Sequence, residues 1–149
     1  MAAALGLAPL PDEGGLFRRT YSSGPVTAIH YLVVAPDFSA LHRLRRSDEL
    51  YFFHAGAPLR LLVLDPAPDG DRAPGAREEL LGPDPLAGHH PQLLVPAGAW
   101  QASSSTAGWS LVSTVVAPGF DWTDFELGDR SALSALFPDW ARRIDALTR

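Results

Sequence analysis

Apolar and polar residues alternate with period two along most of this chain, and each alternating run ends in a turn rich in glycine and proline. Runs of this kind predict β-strands that bury one face. The β-branched and aromatic run 26–34, VTAIHYLVV, reads as a buried strand, and 109–117, WSLVSTVVA, is the last clear strand. Further strands are predicted at 16–21, 38–44, 49–54, 58–65, 77–81, 92–95 and 101–103, followed by aromatics alternating with polar residues over 120–127. Residues 66–76 and 82–91 crowd Pro, Gly and Asp together and read as exposed loops. The period then changes. Asp129 is placed to cap a helix over 130–137 that Pro138 interrupts, and Trp140, Ile144 and Leu147 recur at i, i+4, i+7, one apolar stripe of a second helix. Short strands joined by tight turns, then one or two helices, predict an all-β sandwich or barrel. Residues 1–12 read as an Ala- and Pro-rich arm, and 13–149 as a single domain.

The same phasing sorts the candidate chemistry. His42 and Leu44 share one face of their strand; Glu49, Tyr51 and Phe53 share one face of the next, with Leu50, Phe52 and His54 on the other. A histidine titrates near neutrality, a carboxylate such as Glu49 would orient its ring, and Tyr51 could donate a proton or stabilise an enolate. The plain structural alternative is that His42 and Glu49 form a satisfied buried pair without turnover. Gln101 follows the turn Pro96-Ala97-Gly98, where an amide suits hydrogen bonding to a ligand. Arg43, beside Arg45 and Arg46, is a candidate for steering an anionic substrate. Phe53 and Trp100 complete the candidate substrate contacts, although Trp100, like Trp109, Phe120, Trp122 and Phe125, also suits core or dimer-interface packing.

Composition removes several functions. With 149 residues, 46% of them hydrophobic and 19% charged, the chain can bury one core unaided. It contains no cysteine, which excludes disulfides and thiolate metal sites. No stretch has the length of a membrane span, and the first residues lack the basic region of a secretory signal, so a cytoplasmic protein with no membrane partner is expected. The net charge is −5, and the basic residues are all arginines, scattered or in pairs, so nucleic acid is not an expected partner.

Two stretches carry a resemblance. HRLRRSDELYFFHAG, residues 42–56, and VPAGAWQAS, residues 95–103, resemble the paired motifs of the cupin superfamily: His42, Glu49 and Gly56 are in register with the first motif, Pro96 and Gly98 with the second. Leu44 and Gln101 stand where the family has two further histidines. EGGLFRRTYSS at 13–23, FSALHR at 38–43, SDELYFFHAGAPL at 47–59, VPAGAWQA at 95–102 and VAPGFDWTDFEL at 116–127 are together similar to the "cupin 5" family, DUF985. Members commonly have Glu where Arg19 stands, and Trp-His-Phe-Tyr where this chain has Tyr51-Phe52-Phe53-His54.

The resemblance implies a double-stranded β-helix, the cupin jelly-roll barrel, paired as a homodimer, with a ligand pocket in the barrel mouth similar to that of the dTDP-sugar 3,5-epimerases. A cupin metal site takes three imidazoles and a carboxylate. Only His42 and Glu49 match, His54 is out of phase with Glu49, and no metal or other cofactor is expected. The reading is therefore a metal-independent isomerase, epimerase or cyclase acting on a small carbonyl-bearing metabolite, with His42, Glu49 and Tyr51 catalytic and Gln101, Phe53, Arg43 and Trp100 contacting substrate. Its alternatives are a non-catalytic small-molecule binder and a metal-dependent oxygenase.

Overall fold

The computed structural model describes residues 1–66 and 74–149. It is a double-stranded β-helix of two antiparallel sheets with short helices at the C-terminus. The strands are β1 (Ala8–Pro9), β2 (Leu16–Ser22), β3 (Thr27–Val34), β4 (Phe38–Leu44), β5 (Asp48–Gly56), β6 (Leu59–Asp65), β7 (Gly75–Leu81), β8 (Gln92–Val95), β9 (Trp100–Ser105), β10 (Trp109–Ala117) and β11 (Phe125–Leu127); all but β1, which lies in the stretch read as an arm, fall on runs expected as strands. Of the loop expected at 66–76, residues 67–73 lie outside the described residues, while Gly75 and Ala76 belong to β7. The alternation at 120–127 becomes a strand only at its end, because a turn closed by Asp121 occupies the residues before it.

Six strands form one sheet in the order β1-β2-β3-β10-β5-β8, and five form the other in the order β11-β4-β9-β6-β7. Their facing surfaces enclose the core: Tyr31, Val33, Tyr51, Leu93 and Val112 from the first meet Leu59, Leu61, Val63 and Leu81 from the second. Strand β10 shows the logic cleanly. Ser110, Val112, Thr114 and Val116 are buried while their neighbours are only half-buried, the period-two pattern of a strand with one face inside.

The five-stranded sheet is covered on its back as well. Leu41, Leu62, Leu64, Trp100 and Ala102 pack against Leu133 and Phe137, which belong to or follow α2 (Arg130–Leu136), and against Ile144 and Leu147 of α3 (Ala141–Ala146) and its C-cap. Asp129 caps α2, its Oδ1 accepting from the Ala132 amide at 2.7 Å. Ile144 and Leu147 are fully buried, each contributing about 1.5–3 kcal/mol of hydrophobic stabilisation. The first residues form α1 (Ala2–Leu5) and then β1, which pairs with Leu16 and Phe17 of β2. Among the described residues, no helix is long and apolar enough to cross a membrane.

Candidate active site

A cavity of about 150 Å³ lies between the sheets, at the end of the barrel where β3, β5 and β10 of one sheet face β4 of the other. Register brings its residues together. Thr114 of β10 sits between Ile29 of β3 and Tyr51 of β5, while on the next row Val116 sits beside Glu49. His42 of β4 faces them from the opposite sheet. His42, Glu49 and Tyr51 thus share one cavity, as their phasing predicts.

His42 is almost fully buried and firmly held. Its Nδ1 lies 2.7 Å from the Ala40 carbonyl oxygen, which can only accept, so Nδ1 carries the hydrogen and Nε2 is the atom left for chemistry. Phe125 stacks on the ring at 5.3 Å between centroids, with the planes 24° apart. Nε2 lies 4.0 Å from Oε2 of Glu13.

Glu13 was not among the residues singled out in the sequence. It reaches the cavity because the chain turns sharply behind it at Gly14 and Gly15, whose φ angles are +97° and +70°. A Cβ on Gly15 would lie 2.7 Å from the Tyr31 hydroxyl, so only glycine allows the backbone this close to the barrel wall. Ser39 donates to Glu13 Oε1 at 2.7 Å, and the Ala40 amide donates to the Glu13 carbonyl at the same distance. Tyr31 donates its hydroxyl to the Gly14 carbonyl at 2.8 Å. An acidic residue directly before Gly-Gly, inside one of the five family-like motifs, was the available signal.

Glu49 is fully enclosed. Burial raises its carboxyl above the usual carboxylate range, opposed by the charge of His42 and by hydrogen bonds from Thr114 and Gln101. Tyr51 and Tyr31 are both raised well above the ordinary phenol value, by burial first and then by the nearby carboxylates, so both stay protonated at neutral pH.

The four expected substrate contacts lie elsewhere than on the cavity wall. Gln101 is buried beside Glu49 and donates Nε2–H to its Oε2 at 2.6 Å, so it supports a wall residue. Phe53 follows Tyr51 on the same strand face and is half-buried, packed against the core rather than on the cavity wall. Arg43 and Trp100 each neighbour an inward residue, His42 and Gln101, so the pleat sends them to the back of the sheet. There Arg43 lies over the Trp100 ring at 4.4 Å and pairs with Glu126, while Trp100 packs under the C-terminal helices. The aromatics read as packing do reach the site. Phe120, Trp122 and Phe125 line the cavity and touch edge to face, Phe120 to Trp122 at 5.0 Å and Trp122 to Phe125 at 5.4 Å. Trp122 is 57% exposed at the mouth.

The donor set does not suit the metal of cupin enzymes. Leu44 lines the cavity with hydrocarbon where an imidazole would stand, and the Gln101 amide N–H is committed to Glu49. Among the described residues no group of three His, Asp or Glu is placed to hold an ion. His30 and His54 pair edge to face at 6.0 Å, and His54 Nε2 lies 2.6 Å from the Ser113 hydroxyl. Both alternate with cavity residues and so occupy the opposite face of their sheet.

The family model described as Cupin superfamily (DUF985) matches residues 1–128. The chain belongs to this family. A hypothetical protein from Leishmania major is 35% identical, covering 99% of this chain and 96% of its own, with a TM-score of 0.87. A Shewanella oneidensis protein solved by X-ray crystallography is 33% identical over 99% of this chain and 94% of its own, with the same score. A dTDP sugar isomerase from Desulfovibrio desulfuricans shares the cupin fold at 18% identity, covering 85% of this chain and 83% of its own, with a TM-score of 0.63. No curated protein matches the chain.

Proposed function

We propose that this cupin is a metal-independent isomerase, epimerase or cyclase that moves a proton next to the carbonyl of a small metabolite. The observation that carries the reading is the setting of His42, whose Nδ1 is tied to the Ala40 carbonyl while Nε2 faces a carboxylate inside the cavity. Nε2 takes a proton from the carbon beside the carbonyl, and the electron pair passes to the carbonyl oxygen. Tyr51, protonated and without a described hydrogen-bond partner for its hydroxyl, donates to the enolate that forms. The imidazolium, supported by the charge of Glu13, returns the proton to the other face or to a neighbouring carbon. The activity named for the Desulfovibrio structure belongs to the same class of chemistry, on a likeness that reaches the fold alone.

The test is deuterium uptake from solvent into a panel of small aldehydes, ketones and keto acids, followed by NMR with and without a chelator. Uptake that needs His42 and survives chelation supports proton transfer. Uptake unchanged in His42→Ala, or abolished by the chelator, overturns it. A second reading, a non-catalytic binder, rests on the aromatic wall of Phe120, Trp122 and Phe125. It takes over if compounds bind there without exchange.

We also propose that two chains pair. The back of the five-stranded sheet is covered by α2 and α3. The back of the six-stranded sheet instead presents Phe52, Leu111 and Val115, with Val34 and Leu94 exposed at 42% and 47%. A second copy would cover this face. The edge strand expected to pair, 15–21, is partly taken by β1 within the chain, leaving its end from Arg18 onward open.

A further inference from the structure

Arg19 is a solvent-exposed residue at the rim of the cavity. It has the same strand parity as the half-buried Phe17 on β2, and both line the cavity. Arg19 pairs with Ile29, Ile29 with Thr114 and Thr114 with Tyr51, one row running across the sheet into the site. Three strand spacings of ~4.8 Å put the backbones at its ends roughly 14 Å apart, a span that one arginine and one small ligand can bridge. The register shifts directly after Arg19, between it and Tyr21, and a bulge of this kind re-aims a side chain beside a site.

Its guanidinium has no hydrogen-bond or ion-pair partner among the described residues. The three arginines after His42 differ. Arg43 and Arg45 both bond Glu126, at 2.8 and 3.0 Å, and Arg46 bonds Asp124 at 3.1 Å. The steering role expected of that cluster therefore has a better-placed holder on β2. Beside Arg19 the mouth is apolar, formed by Phe120 and the exposed Trp122. Deeper in, Glu13 and Glu49 would repel an anion.

We propose that Arg19 selects the substrate by an oxyanion, a phosphate or a carboxylate, at the end of the molecule that lies in the cavity mouth. The body of the ligand lies against Phe120 and Trp122, and its carbonyl end reaches His42 and Tyr51. This assignment rests on the reading of the cavity as a site for a small carbonyl compound. The guanidinium offers two parallel N–H donors to such a group, a charge-assisted contact roughly twice as strong as a neutral one.

Titration of the full-length protein with phenyl phosphate, benzoate, inorganic phosphate and uncharged benzyl alcohol, followed by tryptophan fluorescence and calorimetry, tests the proposal. We expect phenyl phosphate or benzoate to bind more tightly than benzyl alcohol, and the stronger of the two to name the oxyanion. Arg19→Gln should weaken that binding by about tenfold, the usual worth of one hydrogen bond to a charged group, and leave benzyl alcohol unchanged. Arg19→Glu should abolish the preference, and Trp122→Ala should weaken both aromatic probes while sparing inorganic phosphate. Equal binding of the anions by the native protein and Arg19→Gln overturns the assignment, as does no preference for anions at millimolar concentration. Retained Arg19-dependent binding without His42-dependent exchange would sink proton transfer alone. Exchange that is indifferent to Arg19 would sink only the oxyanion assignment.

Discussion

Nε2 of His42 lies 4.0 Å from Oε2 of Glu13, a residue that enters the barrel from the N-terminal segment and meets the histidine across a double-glycine turn. The gap is too long for a hydrogen bond, so the contact is electrostatic as it stands and can tighten when a ligand closes the cavity. At such a distance a carboxylate acts mainly on the imidazolium that follows proton abstraction. Glu13→Gln keeps the volume and the Ser39 contact but removes the charge. It should slow solvent exchange by roughly tenfold, since two unit charges about 4 Å apart attract by about 4 kcal/mol at an effective dielectric of about 20, before solvent screening takes its share. Exchange kinetics at saturating substrate give the comparison, and an unchanged rate would make Glu13 a purely structural residue.

His42 should matter more than either carboxylate. General acid or base catalysis by one side chain is worth about 10² to 10⁴ in rate, so His42→Ala should lose that much, and His42→Gln should do no better. Glu49→Gln should lose less, because it keeps a hydrogen-bonding partner for Gln101. A far-ultraviolet circular dichroism spectrum like that of the native protein would establish that the loss is chemical. Full activity in His42→Ala would end the proton-transfer reading.

Much of this was legible in the sequence, for reasons that particular residues make plain. The alternation of β10 survives folding because one of its faces is buried and the other only half-buried, and the stripe of Trp140, Ile144 and Leu147 finds its apolar surface on the back of a sheet. His42, Glu49 and Tyr51 converge because strand parity fixes which way a side chain points. The same parity would have sent Arg43 and Trp100 outward, since each neighbours a residue expected to point in. Glu13 was harder to see. Its position depends on the positive φ angles of Gly14 and Gly15, and no hydrophobic period reports them. The aromatic wall was not legible because Phe120 and Trp122 alternate with polar residues like a strand, whereas a hydrogen-bonded turn interrupts that alternation before Phe125 and all three line the cavity.

The glycine turn should resist substitution. An alanine at position 15 would hold its Cβ 2.7–2.8 Å from three atoms of the Tyr31 side chain, at a φ of +70°. Overpacking of this kind typically costs about 1–3 kcal/mol, and the left-handed backbone adds about 1–2. Gly15→Ala should therefore lower the urea midpoint clearly and also reduce activity, because relief of the clash moves Glu13 away from His42. A variant as stable and as active as the native protein would show that the turn has room to spare.

Pairing through the back of the six-stranded sheet predicts a solution mass near twice the 16.0 kDa of one chain. Val34→Lys combined with Leu94→Lys places charges on the two exposed apolar positions of that face and should weaken association by at least tenfold, a shift of about 1.4 kcal/mol or more. Light scattering across a dilution series reads both. A single-chain mass at micromolar concentration would refute the dimer, and a dimer indifferent to both lysines would move the interface to another surface, with the open end of β2 next to be tested.

The last prediction concerns pH and follows from the burial of Glu49. Its carboxyl is raised above the ordinary value of 4.5, chiefly because burial penalises the charged form. Below 4.5 the group is protonated in both the folded and the unfolded chain and contributes no difference. As the pH rises past 4.5 the unfolded chain releases the proton while the folded protein still holds it, so the unfolded state binds fewer protons and stability falls with pH. The fall continues until the pH passes the raised folded value, where the penalty levels off. Glu49→Gln removes the titration and keeps a neutral amide beside Gln101, so it should melt higher than the native protein in neutral and mildly alkaline buffer. The advantage should shrink to nothing in acid buffer below 4.5. Thermal melts of the two proteins across that range decide the matter. If Glu49→Gln were instead the less stable protein at neutral pH, with the deficit vanishing in acid, the attraction of His42 and the hydrogen bonds from Thr114 and Gln101 would together outweigh the burial of the carboxylate.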